Sequence, residues 1–411
     1  MATPRDRVLA AINHREPDQV AVDFNGHRSS GIMAIAYAKL RRHLGLPERP
    51  IYVYDFIQQL AIVDDDVLDL FGVDVIELGR GFAKSDADWS DWVLPDGTPC
   101  KIQSYIHPVK QGADWVVYGD EGRVIAIQKE GCLYFEQTCF PLLDSADETF
   151  DNLPYQLDQV MWSRLGSPPA PLGLDAAGMT AREAGARALL ASTDRAIVGL
   201  FGCNRLEIGE FLFRIDGFLY ELAANPSRVH RFLDRIVEIH LANLEKYLAS
   251  VGPYIDIIQF GDDLGTQTGP QISPRMYAEF FKPRHSLMWN RAKQLRPGIK
   301  VMLHCCGGVR PLLPHLIEAG LDVINPVQTT CTGMEPEGLK RDFGRDIVFW
   351  GGGCDTREVL PKGTPAQVRD DVRRRVDILA PGGGFVFQQV HNVMADVPPE
   401  NVVAMFEAVR G

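Results

Sequence analysis

The sequence predicts an α/β fold of the (β/α)8, or TIM, barrel type, on two observations. Eight short apolar runs alternate with segments of helical pattern along the 411 residues. Most of these runs are continuously apolar, which is typical of strands buried on both faces of a parallel sheet. Eight strands separated by helices are the pattern of a (β/α)8 barrel, which commonly forms one domain at this length. We therefore expect residues 1–411 to form a single domain.

The predicted strands follow from runs of apolar and β-branched residues. They are residues 20–24, 73–78, 196–201, 255–260, 300–304, 322–327, 346–350 and 384–388. Helices are predicted between them. Ser273 and Thr364 each precede a proline, the arrangement of an N-cap residue with proline at the first helical position. Amphipathic spacing predicts further helices over 28–44 and 225–249.

Residues 89–140 depart from this alternation. They contain glycine-rich turn signals flanked by β-prone residues, which indicate β-hairpins. We predict an antiparallel hairpin insertion here, between the second and third barrel strands, serving as a lid, a docking surface or packing. The proline-rich residues 167–173 are predicted to form a loop.

The composition narrows the classes of function. The net charge is −12, whereas proteins that bind nucleic acid usually present a basic patch, so nucleic acid is not an expected partner. No apolar run reaches the roughly 18 residues that span a bilayer, and the N-terminus lacks the apolar core of a signal peptide. We therefore expect a cytoplasmic protein without membrane contact.

Polar residues follow almost every late predicted strand. In a (β/α)8 barrel the active site lies at the C-terminal ends of the strands. Core packing does not explain this distribution, so we interpret these residues as a functional site. They are Cys203, Asn204, Asp262, Asp263, His304, Cys306, Gln328, Cys354, His391 and Asn392.

His304 and Cys306 are the most specific feature of this set. Side chains two residues apart on a strand point the same way, so an imidazole and a thiol can meet one ion. Cys354 follows three glycines after the seventh strand and is expected to arrive from a nearby strand end. One nitrogen and two thiolates suit Zn²⁺, which keeps an exchangeable fourth position in catalytic sites. We predict zinc at these three residues, with Cys203 as the alternative thiol.

The other polar residues are assigned to catalysis and substrate binding. Asp262 and Asp263 are the predicted catalytic residues, as fourth zinc ligand, general acid or substrate anchor. Because neighbouring side chains alternate, only one of them faces the pocket, and an N-cap or a solvated loop is the alternative. His391 could also form a hydrogen bond to one of the residues that hold the metal, or be a structural histidine. The predicted substrate-binding residues are Asn204, Gln328, His391 and Asn392.

Six stretches resemble the uroporphyrinogen decarboxylase superfamily, on its methyltransferase branch. The histidine and cysteine set is similar to the zinc motif of cobalamin-dependent methyltransferases. The resemblance implies transfer of a methyl group from a small methylated substrate to the Co(I) of a corrinoid, as in O-demethylases. Transfer from the corrinoid to a thiol acceptor is the alternative. The six stretches are residues 5–18, 261–265, 304–307, 322–328, 353–356 and 391–393.

The resemblance also implies a donor and a partner. An aryl methyl ether is the expected donor, because a leaving phenolate suits zinc and the pocket should be partly aromatic. The chain lacks the Asp-x-His-x-x-Gly motif of corrinoid-binding proteins, since Met302 stands two residues before His304. The corrinoid would therefore come on a separate partner protein. The oligomeric state stays open, with a homodimer as one option.

Two further hypotheses come from other classes of protein. The decarboxylase branch carries arginines after its first strand that bind substrate carboxylates, whereas residues 23–30 offer only Arg28 besides His27. A substrate with many carboxylates would lack the arginines that bind them here. A cofactor-free decarboxylase is therefore only the second hypothesis. A zinc-bearing carrier without turnover is the third, and the acidic pair after the fourth strand argues against it.

Overall fold

The computed structural model describes residues 2–166 and 172–411. Residues 167–171, the larger part of the predicted proline-rich loop, lie outside the described residues, as does Met1. Of the helices within the described ranges, none has both the length and the apolar composition that a bilayer crossing requires.

A parallel sheet of seven strands forms the centre of the protein. The order of its strands in space is their order in the sequence, and neighbouring strands are parallel. Each strand overlaps one of the predicted runs, from the second to the eighth. The strands are Val75–Glu77, Ala196–Gly202, Ile257–Gly261, Lys300–His304, Val323–Asn325, Val348–Trp350 and Phe385–Val386.

The segment predicted as the first strand, residues 20–24, bridges the two edges of this sheet. Val22 forms an isolated parallel bridge with Phe387, and the Asp23 N–H donates to the Phe387 carbonyl oxygen at 2.8 Å. On the other side, the Asp74 N–H donates to the Val22 carbonyl oxygen at 2.8 Å. The Val22 N–H bonds to the Asp74 carboxylate instead of a backbone carbonyl, which interrupts a regular ladder. The sheet is therefore curled in the manner of a TIM-like barrel.

The inside of the curled sheet is filled by one apolar cluster. It contains buried side chains from all seven strands, together with Val8, Ala11 and Ile12 of the helix Pro4–Ile12. This helix contacts the strands at both edges of the sheet and closes the interior. A larger cluster fills the layer between the strands and the surrounding helices.

Helices cover the outside of the sheet. Thr364 accepts a hydrogen bond from the Gln367 N–H and caps a helix that begins at Pro365, as predicted. Ser273 caps the helical stretch that begins at Pro274 in the same way. The α-helices are Pro4–Ile12, Ala34–His43, Asp65–Leu70, Leu153–Asp158, Met161–Leu165, Ala176–Ser192, Leu206–Phe213, Ile215–Ala224, Pro226–Val251, Pro274–Met276, Lys282–Leu295, Leu313–Ala319, Pro336–Phe343, Val359–Lys362, Pro365–Leu379 and Pro399–Arg410.

Antiparallel strands occupy residues 89–137, between the first two strands of the parallel sheet. Two of them pair with each other, and the other four form a separate sheet. Two further strands, Tyr52–Asp55 and Leu60–Ala61, join the first pair. They were not predicted, because strands this short carry no readable alternation. The antiparallel strands are Trp89–Val93, Pro99–Gln103, Val109–Gln111, Asp114–Tyr118, Val124–Gln128 and Glu136–Gln137.

Candidate metal centre

Three metal-binding side chains meet at the C-terminal end of the parallel sheet. The strand Lys300–His304 ends at His304, and Cys306 follows two residues later, with its Sγ 3.5 Å from His304 Nε2. His391 comes from the segment after the last strand. One ligand atom of each of these three residues lies within 4.8 Å of the other two. We call His304, Cys306 and His391 the donor group.

The predicted third ligand, Cys354, does not join the donor group. Its side chain is fully buried in the layer between the sheet and the outer helices. There Asp371 and Arg375 of the helix Pro365–Leu379 are its charged neighbours. The Cys354 carbonyl oxygen accepts a hydrogen bond from the Val390 N–H at 2.9 Å, next to His391. Cys354 thus supports the segment that carries the third donor.

Cys203, the alternative thiol, also lies outside the donor group. Burial raises the pKa of its thiol to about 12, so it is protonated at neutral pH. Its backbone has a φ of 59°, in the left-handed region. This conformation turns the chain sharply after the strand Ala196–Gly202, which gives Cys203 a role in the backbone path.

Asn325 orients the imidazole of His304. Asn325 Nδ2 donates to the Trp350 carbonyl oxygen at 3.0 Å and to Gln388 Oε1 at 2.9 Å, which assigns Oδ1 as the acceptor. This Oδ1 lies 3.0 Å from His304 Nδ1 and accepts from Ser29 Oγ at 2.8 Å. His304 Nδ1 therefore carries a proton, and Nε2 keeps a lone pair for a metal ion.

Burial shifts the pKa values of the other two donors, His391 and Cys306, in opposite directions. Together with the nearby His304 and His27, it lowers the pKa of His391 to about 3, so this imidazole is neutral at pH 7. Burial and the Asp263 carboxylate raise the pKa of the Cys306 thiol. A divalent cation would reverse that shift because it stabilises the thiolate. Two imidazoles and one thiol thus form a donor set that fits zinc.

The low pKa of His391 predicts acid sensitivity of the metal-free protein. Its pKa is about 3 in the folded state against 6.5 in the unfolded chain, so between these values the unfolded state binds more protons. The free energy of unfolding is then fully retained above pH 6.5 and falls as the pH drops towards 3, by at most about 1.4 kcal/mol per pH unit. Urea denaturation at pH 7 and at about pH 4.5 measures the free energy of unfolding. Its decrease at the lower pH should be smaller in His391→Gln than in the wild type. Equal losses in both proteins would contradict this.

Asp263 lies beside the donor group. Its Oδ1 accepts a hydrogen bond from the Cys306 N–H at 2.7 Å and lies 3.7 Å from His304 Nε2. The Asp263 N–H donates to Glu207 Oε2 at 2.9 Å. Burial and the charges of Asp263 and Asp262 raise the pKa of Glu207 well above its ordinary value, which favours its protonated form. The sequence analysis missed Glu207, although a carboxyl group three residues after Asn204 was a visible signal.

Asp262, the other predicted catalytic residue, points away from the donor group. It is fully buried, and its Oδ1 accepts a hydrogen bond from the Leu206 N–H at 2.8 Å. Its Oδ2 lies 3.2 Å from His285 Nε2. Asp262 therefore accepts from the first N–H groups of the helix Leu206–Phe213, whose own N-cap residue is Arg205.

The predicted substrate-binding residues fall into two groups. Gln328 and His391 line a cavity beside the donor group, and Gln328 Oε1 also accepts a hydrogen bond from the Gly307 N–H at 2.7 Å. Asn204 and Asn392 do not line it. The Asn204 amide donates to the Glu207 carboxylate, and the Asn392 amide bonds to the backbone of Gly31 and the side chain of Gln58. These two amides therefore hold the surrounding loops.

The cavity beside the donor group has a volume of about 260 Å³. Among its lining residues, His391 provides the only ring, so the partly aromatic pocket that we expected is not found here. Eight of the twelve lining residues carry polar or charged side chains. The lining residues are Gly265, Thr266, Gln267, Cys306, Gly307, Gln328, Thr330, Asp355, Thr356, Arg357, Val390 and His391.

Comparison with known proteins relates the carboxyl-terminal part of the chain to one family. Residues 212–411 match the family model of uroporphyrinogen decarboxylase (URO-D). A uroporphyrinogen decarboxylase from Synechocystis sp. is 23% identical over 190 residues, which are 46% of this chain and 49% of that relative, about half its length. The solved structure of a methyltransferase from Methanosarcina mazei has the same fold, with a TM-score of 0.52 and 16% identity over 100% of this chain and 98% of that one. Residues 212–411, just under half of the chain, are thus similar to the uroporphyrinogen decarboxylase family.

Proposed function

We propose that this protein is a zinc-dependent methyltransferase that moves a methyl group from a small methylated substrate to the Co(I) of a separate corrinoid protein. The donor group of two histidines and one cysteine, open to a polar cavity, carries this proposal. A catalytic zinc site needs three protein ligands and space for one exchangeable ligand. The shared fold with a methyltransferase over the whole chain supports the same reaction class.

Each residue around the donor group then has a stated task. His304, Cys306 and His391 would hold the zinc, which when bound supplies a Lewis acid for the leaving heteroatom of the substrate. Asn325 keeps His304 Nε2 unprotonated. Asp263 holds the backbone N–H of Cys306.

Proton supply is the remaining task. When Co(I) takes the methyl group, the bond from the methyl carbon to the heteroatom breaks, and the heteroatom keeps the electron pair and needs a proton. The raised pKa of Glu207 favours its protonated form, and its carboxyl group accepts a hydrogen bond from the Asp263 backbone N–H. We assign the proton supply to this pair of carboxyl groups.

The cavity favours a small polar donor. A volume of about 260 Å³ is below the roughly 300–1,000 Å³ of typical ligand pockets. The lining contains no phenylalanine, tyrosine or tryptophan against which an aryl group could stack. The aryl methyl ether expected from the sequence is therefore a weaker choice of donor than a small polar one.

Porphyrinogen decarboxylation is the second candidate, because both the family model and the cyanobacterial relative carry that name. A tetrapyrrole is much larger than this cavity. Arg357 is the only cationic side chain in the lining, whereas several carboxylates need several cations. These two observations favour methyl transfer.

The test combines zinc content with methyl transfer to free cobalamin in its Co(I) state. We expect about one zinc per chain and zinc-dependent formation of methylcobalamin from a small methyl ether, both lost in Cys306→Ala. Cys132→Ala, which removes a cysteine outside the donor group, is the matched control and should behave as the wild type.

Three results would contradict the proposal in different ways. A folded wild-type protein that binds no zinc would remove the metal site. Release of CO₂ from uroporphyrinogen by the metal-free protein would favour the decarboxylase. Methyl transfer from methylcobalamin to a thiol, without the forward reaction, would favour the thiol-acceptor alternative.

A further inference from the structure

The lining of the cavity contains several hydrogen-bond donors that have no partner within the described residues. Thr330, Thr356 and Arg357 line it, together with Gln267. The hydroxyls of the two threonines make no hydrogen bond within the described part of the chain. Gln267 Oε1 accepts from the Cys331 thiol at 3.5 Å, which leaves its NH₂ group facing no partner in the same ranges.

Arg357 supplies the positive charge of this lining. Its charged neighbour is Glu358, whose Oε1 lies 3.7 Å from Arg357 Nε, and both side chains are more than half exposed. A pair of this length and exposure is weak, so it leaves the guanidinium free to bind another anion. The guanidinium also lies near Cys331, where its charge lowers the pKa of the thiol against the effect of burial. Arg357 lines this cavity together with Gln267, which accepts from the same Cys331 thiol.

Asp355, the acidic residue of the lining, is engaged by the backbone of the same turn. Asp355 is almost fully buried, and its Oδ1 accepts hydrogen bonds from the N–H groups of Arg357 and Glu358, at 2.7 Å and 3.2 Å. These bonds hold the Asp355 carboxylate in the turn that carries Arg357. Hydroxyl, amide and guanidinium donors together are the groups that bind a carboxylate.

We propose that the substrate of this site is a small carboxylic acid bearing a methylated heteroatom, with its carboxylate bound by Arg357, Thr330, Thr356 and Gln267. This inference rests on the proposed function, because the heteroatom would face the donor group. The roughly 260 Å³ cavity then holds both the carboxylate and the methylated group. Arg357 becomes the residue that determines specificity for an anionic substrate.

The test uses three methyl ethers of similar length whose terminal groups are an anion, a neutral hydroxyl and a cation. They are methoxyacetate, 2-methoxyethanol and 2-methoxyethylamine, and calorimetry on the zinc-loaded protein measures their dissociation constants. We expect methoxyacetate to bind about 10- to 100-fold more tightly than the alcohol, because the alcohol cannot form the charged hydrogen bond to Arg357. The amine should bind most weakly, since its positive charge is repelled by the guanidinium. Arg357→Gln should remove this preference without changing zinc content. Arg341→Gln, an exposed arginine outside the cavity, is the matched control.

The possible results separate this inference from the proposed function. Equal binding of the three probes, or the preference persisting in Arg357→Gln, would overturn the inference while zinc binding stands. Tighter binding of the amine would replace it with a cationic substrate, and tighter binding of methyl phosphate with a phosphate ester. If the protein binds no zinc, the proposed function fails, and the same charge series on the metal-free protein still tests the role of Arg357.

Discussion

His391→Ala should lower the affinity for zinc by about 100-fold, whereas Cys354→Ala should leave it unchanged. Zinc sites with four protein ligands bind with about 10–16 kcal/mol, so one ligand contributes about 3 kcal/mol, or about 100-fold. His391 belongs to the donor group, and Cys354 is buried between the sheet and the helices. Competition against a chelator of known affinity measures both variants.

The two substitutions also differ in their effect on stability. Cys354 is fully buried, so its replacement by alanine should lower the free energy of unfolding by about 1–2 kcal/mol. The metal-free His391→Ala protein should stay close to the wild type at pH 7, since this histidine is only partly buried. Loss of zinc in Cys354→Ala with the fold intact would restore the ligand set expected from the sequence.

Asn325→Leu should lower zinc affinity by about 10- to 100-fold, although Asn325 is not a ligand. The substitution removes the acceptor for the N–H of His304 Nδ1 and for Ser29 Oγ. The imidazole then loses the contact that selects its tautomer and its orientation. Zinc competition, with cobalt substitution to record the ligand-field spectrum of the site, checks this result.

Asn325→Asp is the matched control for the orienting role. Its carboxylate still accepts from His304 Nδ1, but it can no longer donate to the Trp350 carbonyl oxygen and Gln388. We expect this variant to keep most of the zinc affinity and to lose stability, because two buried acceptors lose a donor. If both variants lose zinc equally, the effect comes from general damage to the fold.

The parallel sheet could be predicted because its strands are buried on both faces and read as continuous apolar runs. Seven of those runs became strands. The run at 20–24 did not become a regular strand, because a side-chain carboxylate replaces a backbone acceptor at Val22. Only the folded chain shows that replacement, since Asp74 is 52 residues away in sequence.

The site could be predicted in part. His304 and Cys306 share one strand end, so their spacing alone placed them together. The identity of the third donor depends on how the loops after Val348–Trp350 and Phe385–Val386 fold over the end of the sheet. Cys354 was favoured because a cysteine after glycines is a strong local signal, but the Cys354 side chain is buried in the layer between the sheet and the helices. Asn325 is held by Ser29 and Gln388, which are distant in sequence, so no local pattern reports its role.

The contact between Ser29 and Asn325 joins residues 296 positions apart. Gln388 reinforces it from a third part of the chain, by donating to the Ser29 carbonyl oxygen at 2.8 Å. The final orientation of His304 thus forms only when the amino-terminal loop reaches the far side of the sheet. Closing so long a loop comes late in folding, because the chain loses conformational entropy before the favourable contacts form. Tight metal binding would therefore mark the moment at which the newly made chain closes its barrel.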